Sequence, residues 1–328
     1  MTAQAISQNY DLHNYDNYIV YFSGGKDSLA CLLYLLDKGI DKNKIELWHH
    51  DIDGREGSEL MDWKVTADYC RAISKAFDIP IYFSWKMGGF EGEMLRENSL
   101  TQPTRFETPE GIFQIGGTRG KVSTRRKFPQ VSANLSVRWC SAYLKIDVGA
   151  TALRNQKRFN NSRTLTVSGE RAEESASRAK YKTFEPDRSD NRNGKNARHV
   201  DRLRPVHGWD EVKVWEIIER YNVNPHPAYK LGWGRVSCMY CIFGNDDQWA
   251  SSYKVDPGRL QKIMEYETEF GLTIHRTKTV QERIESGEAY EMNTDDVFTA
   301  NNKNYNQPAI VENWEMPAGA FGDSCGPI

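Results

Sequence analysis

A short apolar run, Tyr18-Ile-Val-Tyr-Phe22, passes directly into Ser23-Gly-Gly-Lys-Asp-Ser28, and then into a segment with apolar side chains at Leu29, Leu32, Leu33 and Leu36. The β-branched and aromatic run predicts a buried strand. The three- and four-residue spacing predicts a helix, with Gly39 placed to end it. Between them, a glycine pair permits backbone angles that turn several N–H groups toward one concave site. The helix N-terminus adds its partial positive charge there. This strand–loop–helix is expected to hold phosphate or pyrophosphate, with backbone N–H groups from Gly24 and Gly25. Lys26 would neutralise phosphate charge, Ser23 and Ser28 would donate hydrogen bonds, and Asp27 would hold Mg²⁺ or orient Lys26. The spacing is not the GxxxxGK[ST] of a Walker loop.

The same alternation continues downstream. Ile45-Glu-Leu-Trp-His49 predicts a second strand, residues 58–77 a long amphipathic helix, and Pro80-Ile-Tyr-Phe-Ser84 a third strand. Strand and helix in turn predict right-handed βαβ units, hence an α/β fold with a doubly wound, mostly parallel sheet. A further strand is expected at residues 164–168 and a helix at 210–221. Asp256-Pro257 matches an N-cap and first helical position for a helix ending near Gly271. The expected division is a loose polar arm at 1–17, a nucleotide-binding domain at 18–250, and an irregular, partly helical C-terminal appendage at 251–328. Residues 185–204, charged and poor in apolar groups, are expected to form an exposed loop that orders with substrate.

Charge narrows the range of partners. The formal net charge of −2 over 328 residues excludes a uniformly basic coat protein. Residues 116–145 nevertheless contain Arg119, Lys121, Arg125, Arg126, Lys127, Arg138 and Lys145 and no acidic residue. Such a segment in a neutral chain predicts a polyanionic partner, DNA or RNA. No stretch approaches the roughly 18 apolar residues of a membrane span, and the N-terminus lacks the pattern of a secretory signal. The expectation is a cytoplasmic protein with reduced thiols and no membrane partner. Its six cysteines are then ligands, nucleophiles or core residues. Cys31 and Cys70 lie on apolar helical faces and are expected in the core. Cys238-x-x-Cys241 has the spacing of a ligand pair for Zn²⁺ or an iron–sulfur cluster.

Ligands of an open parallel sheet sit at the carboxyl ends of its strands. That rule brings His49, His50, Asp51 and Asp53 to the border of the phosphate loop. Asp51 or Asp53 would bind ribose hydroxyls or Mg²⁺, or would merely cap the next segment. Gly169-Glu-Arg171 follows the later strand and is expected at the same edge.

Ser23-Gly-Gly-Lys-Asp-Ser28 after a first strand resembles the loop of the PP-loop ATP pyrophosphatases, which split ATP between its α and β phosphates. Trp139-Cys140 with Leu144-Lys145 extends the likeness, as do Gly169-Glu-Arg171 with Glu173, Glu174 and Arg178. So do Arg204-Pro205 with Trp209, and Pro225-His-Pro-Ala-Tyr229 before Cys238-Met-Tyr-Cys241. Over residues 18–245 the chain is similar to the phosphoadenosine-phosphosulfate reductase-like branch, and most of all to the sulfurtransferases of DNA phosphorothioation and their phage and bacterial relatives. The resemblance implies an adenine-nucleotide α-hydrolase-like fold. It also implies phosphate binding by Arg171 and Arg178, aligned by Glu173 or Glu174, and a cluster ligand at Cys140 beside Cys238 and Cys241. Cys325 would be a fourth ligand or a mobile thiol. Reductases of this branch carry a degraded loop and end in Glu-Cys-Gly-Leu-His, whereas this chain keeps the loop intact and ends Asp323-Ser-Cys-Gly-Pro327.

The activity so implied is an ATP-dependent sulfurtransferase that releases AMP and pyrophosphate. It would use ATP, Mg²⁺ and a 4Fe-4S cluster (or Zn²⁺), with a sulfur donor or small redox protein as partner. The alternatives are a phosphoadenosine-phosphosulfate reductase acting through Cys325, and a nucleotide-binding component of a DNA modification or defence complex with little turnover.

Overall fold

The computed structural model describes residues 10–322. Eight strands form one sheet in the order β5-β4-β3-β2-β1-β6-β8-β7. Strand β1 (Asn17–Tyr21) lies in the middle, parallel to β2 (Ile45–Asp51) and to β6 (Arg163–Val167). Strands β3 (Ile81–Lys86) and β8 (His199–Leu203) continue the parallel set on either side. Antiparallel edges close the sheet, with β4 (Thr104–Thr108) and β5 (Gly111–Ile115) at one end and β7 (Phe184–Pro186) at the other. This is the expected mostly parallel α/β fold with flanking helices. Its central strand is apolar from Tyr18 to Tyr21 because both faces are covered. Tyr18 and Val20 enter the larger core, whereas Ile19 faces a second cluster with Trp48, Phe106, Leu153, Phe159 and Val200.

Helices α1 (Lys26–Asp37), α2 (Thr66–Phe77) and α3 (Gly89–Met94) lie in the first half. Gly39, at φ +69°, follows α1 and donates to Leu36 O at 2.9 Å, ending it where the sequence predicts. Next come the short α4 (Trp139–Ser141), a π turn (Ala142–Ile146) and α5 (Asp147–Arg154). In the second half are α6 (Glu211–Arg220), α7 (Pro227–Lys230), α8 (Asp246–Val255), α9 (Pro257–Phe270), α10 (Val280–Ser286) and α11 (Thr294–Ala300). The Asp256 carboxylate caps α9 by accepting from Arg259 N, and Gly271 ends it in the left-handed region. Among the described residues, no helix is long and apolar enough to cross a membrane.

Several sequence expectations change. Residues 58–65 are not helical, because the Asp53 carboxylate draws the backbone N–H groups of Met61 (2.9 Å) and Asp62 (2.8 Å) into a loop. Residues 185–204 are not an exposed loop but supply β8 and the end of β7. Asp187 accepts from Arg202 (2.6 Å) and Thr166, and Asp201 from Arg192 (2.6 Å), Tyr15 and His199, so the charge is paired inside the sheet's edge. The stretch expected as an arm packs from Tyr10 onward, and Tyr15 is buried. Helix α8 runs through residue 250, and Leu260, Ile263, Val280 and Tyr305 join the main core. The later chain is stitched down by Asn224 N to Ala309 O (2.9 Å) and by the Trp314 indole to Val223 O (2.9 Å). The β4–β5 hairpin was not anticipated.

The basic segment is also divided. Arg119, Lys121 and Lys127 are exposed. Arg125 instead donates to the fully buried Glu93 at 2.8 Å, together with Arg96 at 3.2 Å, and stacks over Trp139. Arg126 pairs with Glu269, and Lys145 is enclosed. Replacing Glu93 with Ala strands two largely buried guanidiniums. It should cost about 3–5 kcal/mol in denaturant unfolding, whereas breaking an exposed pair such as Lys42–Asp78 should change stability far less.

Candidate functional site

The strand order reverses around β1, so the loops after β1 and β6 meet at one edge. After β1, Gly24 takes φ +82°, and a Cβ there would lie 3.1 Å from Cys70 Sγ, so both conformation and space demand glycine. Ser28 Oγ donates to Gly25 O at 2.8 Å and accepts from Ser23 N at 3.2 Å, which closes the loop on itself. The Tyr229 hydroxyl accepts from Lys26 N at 2.8 Å. Gly25 caps α1 without a side chain, so apart from the Lys26 N–H held by Tyr229, no capping side chain from residue 25 covers the helix's first turn. Gly169, after β6, allows this end of α1 to come close: a Cβ on it would sit 2.7 Å from the Asp27 carbonyl carbon.

These elements wall a cavity of about 300 Å³. Ser23, Gly25, Asp27 and Ser28 form one side, Ser168, Gly169 and Glu170 another, and Trp48, His49 and His50 a third. Lys145, Arg178, Arg188, Arg202 and Arg235 also reach its surface, against the carboxyl groups of Asp27, Asp62, Glu170 and Glu174. Several of these cations are held in place, Arg178 by Glu174, Arg202 by Asp187, and Arg188 by Asp147 at 3.0 Å. Fixed cations around a small, partly enclosed space are suited to an anionic ligand.

The expected residues sort into two groups. Ser23, Gly25, Asp27, Ser28, Gly169 and Arg178 line the cavity, and Gly24 shapes the loop behind it. Lys26 and Arg171 do not line it. Lys26 is 2% exposed, donates to Gly234 O at 2.6 Å and pairs with Glu211 at 3.2 Å. Burial opposes its charge, but the electrostatics of Tyr229, Asp27 and Glu211 raise its pKa overall. It ties the phosphate loop to the 234 region. Arg171 is likewise buried, donating to Asp27 at 2.6 Å, to Glu173 at 2.6 Å and to Trp209 O. It positions Asp27. Glu174 aligns Arg178 as expected.

Asp51 and Asp53 face away from this cavity into a neighbouring one. Asp53 is saturated by loop N–H groups, and Asp51 lies 3.6 Å from Arg55. His49 and His50 do border the cavity. Burial lowers His49 to about 4 and His50 to about 3, so both are neutral near pH 7. Burial and the nearby Asp53 carboxylate raise Asp62 to about 7. Sequence reasoning gave no cavity role to Arg188, Arg202 or Arg235, whose charges sit among many in segments without a motif. Lys145 was visible only in the Leu144-Lys145 pair.

Cys238 stands on the cavity wall near Lys145 and Asp62. Cys241 lies close enough to Cys140 to disfavour the Cys140 thiolate. Burial pushes Cys140 up to about 11 and Cys238 well above its ordinary value. All three cysteines lie near Lys145, but among the described residues no group of three or more His, Cys, Asp or Glu side chains is placed to hold a metal ion. Cys325 lies outside the described residues. Cys31 and Cys70 are buried in the core as expected.

The contact between Gly169 and α1 gives a direct test of the loop as an anion site. Gly169→Ala should weaken pyrophosphate binding at least tenfold by calorimetry, because it drives the helix start away from β6. Gly39→Ala, where a Cβ meets nothing within 4 Å, should leave that affinity unchanged and cost only about 1 kcal/mol of stability.

Comparison with known proteins agrees with this geometry. Residues 118–243 match the family model described as phosphoadenosine phosphosulfate reductase domain. The match begins beyond the phosphate loop and runs through β6 and β8 to Cys241. A protein of Escherichia phage 186, described as an uncharacterized 37.8 kDa protein in the gpa 5' region, is 25% identical over 266 residues, which cover 76% of this chain and 74% of that one. Residues 118–243 are thus similar to the phosphoadenosine phosphosulfate reductase domain, a likeness that suggests a nucleotide-binding, sulfur-related enzyme.

Proposed function

We propose that the cavity binds ATP with its β and γ phosphates on residues 23–28, and that the chain cleaves it to AMP and pyrophosphate while activating an acceptor oxygen for replacement by sulfur. The observation that carries this reading is the union, in one cavity, of a glycine-shaped loop, the start of the twelve-residue α1, which has no side-chain cap from Gly25, and the aligned Arg178. Loop and helix dipole favour the pyrophosphate end of the nucleotide. Arg178, Lys145 and the other wall cations stabilise the charge that develops as the α–β bond breaks, where preorganised groups contribute most. Lys26 and Arg171 act one step removed, keeping the loop and Asp27 in register.

Adenylation turns the acceptor oxygen into part of a good leaving group, AMP, which a sulfur nucleophile then displaces. Cys238, on the same wall, puts a thiol beside the reacting groups, and the sulfur itself would come from a donor protein or small thiol. The exposed Arg119, Lys121 and Lys127 suit a DNA or RNA acceptor held through its phosphates, with affinity falling as salt rises. No step is assigned to a metal cluster.

A second reading, reduction of phosphoadenosine phosphosulfate to sulfite, is favoured by the family match over residues 118–243. One assay separates the two. The protein is incubated with ATP, sulfide and either DNA or RNA, and in parallel with phosphoadenosine phosphosulfate and a dithiol, and AMP, pyrophosphate and sulfite are quantified. The expected result is acceptor-dependent AMP and pyrophosphate in equal amounts, falling about 10²-fold in Arg178→Gln. Sulfite without AMP would establish the reductase, and an unchanged rate in Arg178→Gln would remove that residue from the site.

A further inference from the structure

Strand β5 ends the sheet, and among the described residues no strand pairs with its outer edge. All five of its residues, Gly-Ile-Phe-Gln-Ile, are exposed, Ile112 by 61%, Phe113 by 43% and Ile115 by 39%. Edge strands of monomers are usually blunted by charge, proline or a bulge. This strand has no charged residue and no proline, and its register with β4 is unbroken from Thr108–Gly111 to Thr104–Ile115. Pro109 and Glu110 form a two-residue turn, so hydrogen-bonded pairs alternate outward from Thr108–Gly111. Gly111, Phe113 and Ile115 therefore turn their backbone groups to β4, and the N–H and C=O groups of Ile112 and Gln114 point away from the sheet. The Phe113 ring is stacked on Phe106, with centroids 6.0 Å apart.

The strand is complementary to itself. Laid antiparallel against a second copy about a two-fold axis at Phe113, Ile112 exchanges both backbone hydrogen bonds with Gln114 of the copy, and Gln114 with its Ile112. Phe113 then faces Phe113 in the close pair between them, which extends the Phe106–Phe113 stack across the axis. Ile115 falls opposite Gly111, which has no side chain to collide with it. Beyond the strand, the exposed Glu110 of each copy comes alongside residues 116–121 of the other, where Arg119 and Lys121 are exposed and no acidic residue occurs. A parallel alignment would instead set Glu110 beside Glu110 and the basic residues beside one another. We propose that this edge is a dimer interface, in which β5 of two copies pairs antiparallel about Phe113 and joins their sheets into one.

The test is sedimentation velocity on the full chain in reducing buffer, from about 1 to about 100 µM, a range that suits a small interface. The unaltered chain should pass from monomer to dimer across it. Phe113→Lys and Phe113→Glu each place like charges at the two-fold axis, and each should weaken association at least tenfold. An equimolar mixture of these two variants should dimerise again, a rescue that requires residue 113 to face its own copy and that misfolded protein would not show. Gln114→Pro removes an outward N–H and leaves the bonds to β4, and should also weaken association at least tenfold. A monomer at every concentration would overturn the proposal. So would dimers that persist undiminished in any of the three variants, or a mixture of the lysine and glutamate variants that stays monomeric. Assemblies larger than a dimer would overturn it too, since a two-fold pair uses up the edge.

Discussion

The closeness of Gly169 to the first turn of α1 is the contact on which the site depends. Two parallel neighbours, β1 and β6, end at the same edge, and only a residue without a side chain lets the loop after one touch the helix after the other. That approach sets where the helix dipole points and fixes Asp27 within 2.6 Å of Arg171. It also brings the wall residues 168–170 opposite residues 23–28. The site is thus a consequence of strand order, with glycine at the two places where backbone must pass backbone or turn left-handed.

Charge around the cavity is organised in two layers. The inner cations reach the surface, while Lys26 and Arg171 are buried behind it and spend their hydrogen bonds on protein atoms. A buried ion pair contributes little net stability, because desolvation offsets attraction. Its value here is geometric, since Lys26 links the loop to Gly234 and the Tyr229 hydroxyl holds the Lys26 backbone. The neutral, buried His49 and His50 add shape without charge.

Much of this was legible in the sequence where local chemistry is unambiguous. The apolar run at 18–22, the glycine pair, Gly39, and Asp256-Pro257 with Gly271 each impose a backbone outcome that tertiary context does not reverse. Strand β8 was not legible, because in His-Val-Asp-Arg-Leu only Val200 and Leu203 are apolar, and the charges of Asp201 and Arg202 are satisfied by residues such as Tyr15 and Asp187. The start of α2 was misjudged for a related reason: Asp53, a side chain eight residues away, takes the N–H of Met61. At the site, position in the motif gave the right loop but not the direction of each side chain. Lys26 looks like a phosphate ligand until Glu211 and Gly234, almost two hundred residues on, are brought beside it.

The most direct measurement is a crystal structure of the full chain with α,β-methylene-ATP, which cannot be cleaved at the bond in question. The account requires the β and γ phosphate oxygens within hydrogen-bonding distance of the backbone N–H groups of residues 23–28, with the α phosphorus toward Lys145 and Arg178. A triphosphate lying instead against Arg188 and Arg202, or in the neighbouring cavity faced by Asp51 and Asp53, would contradict it.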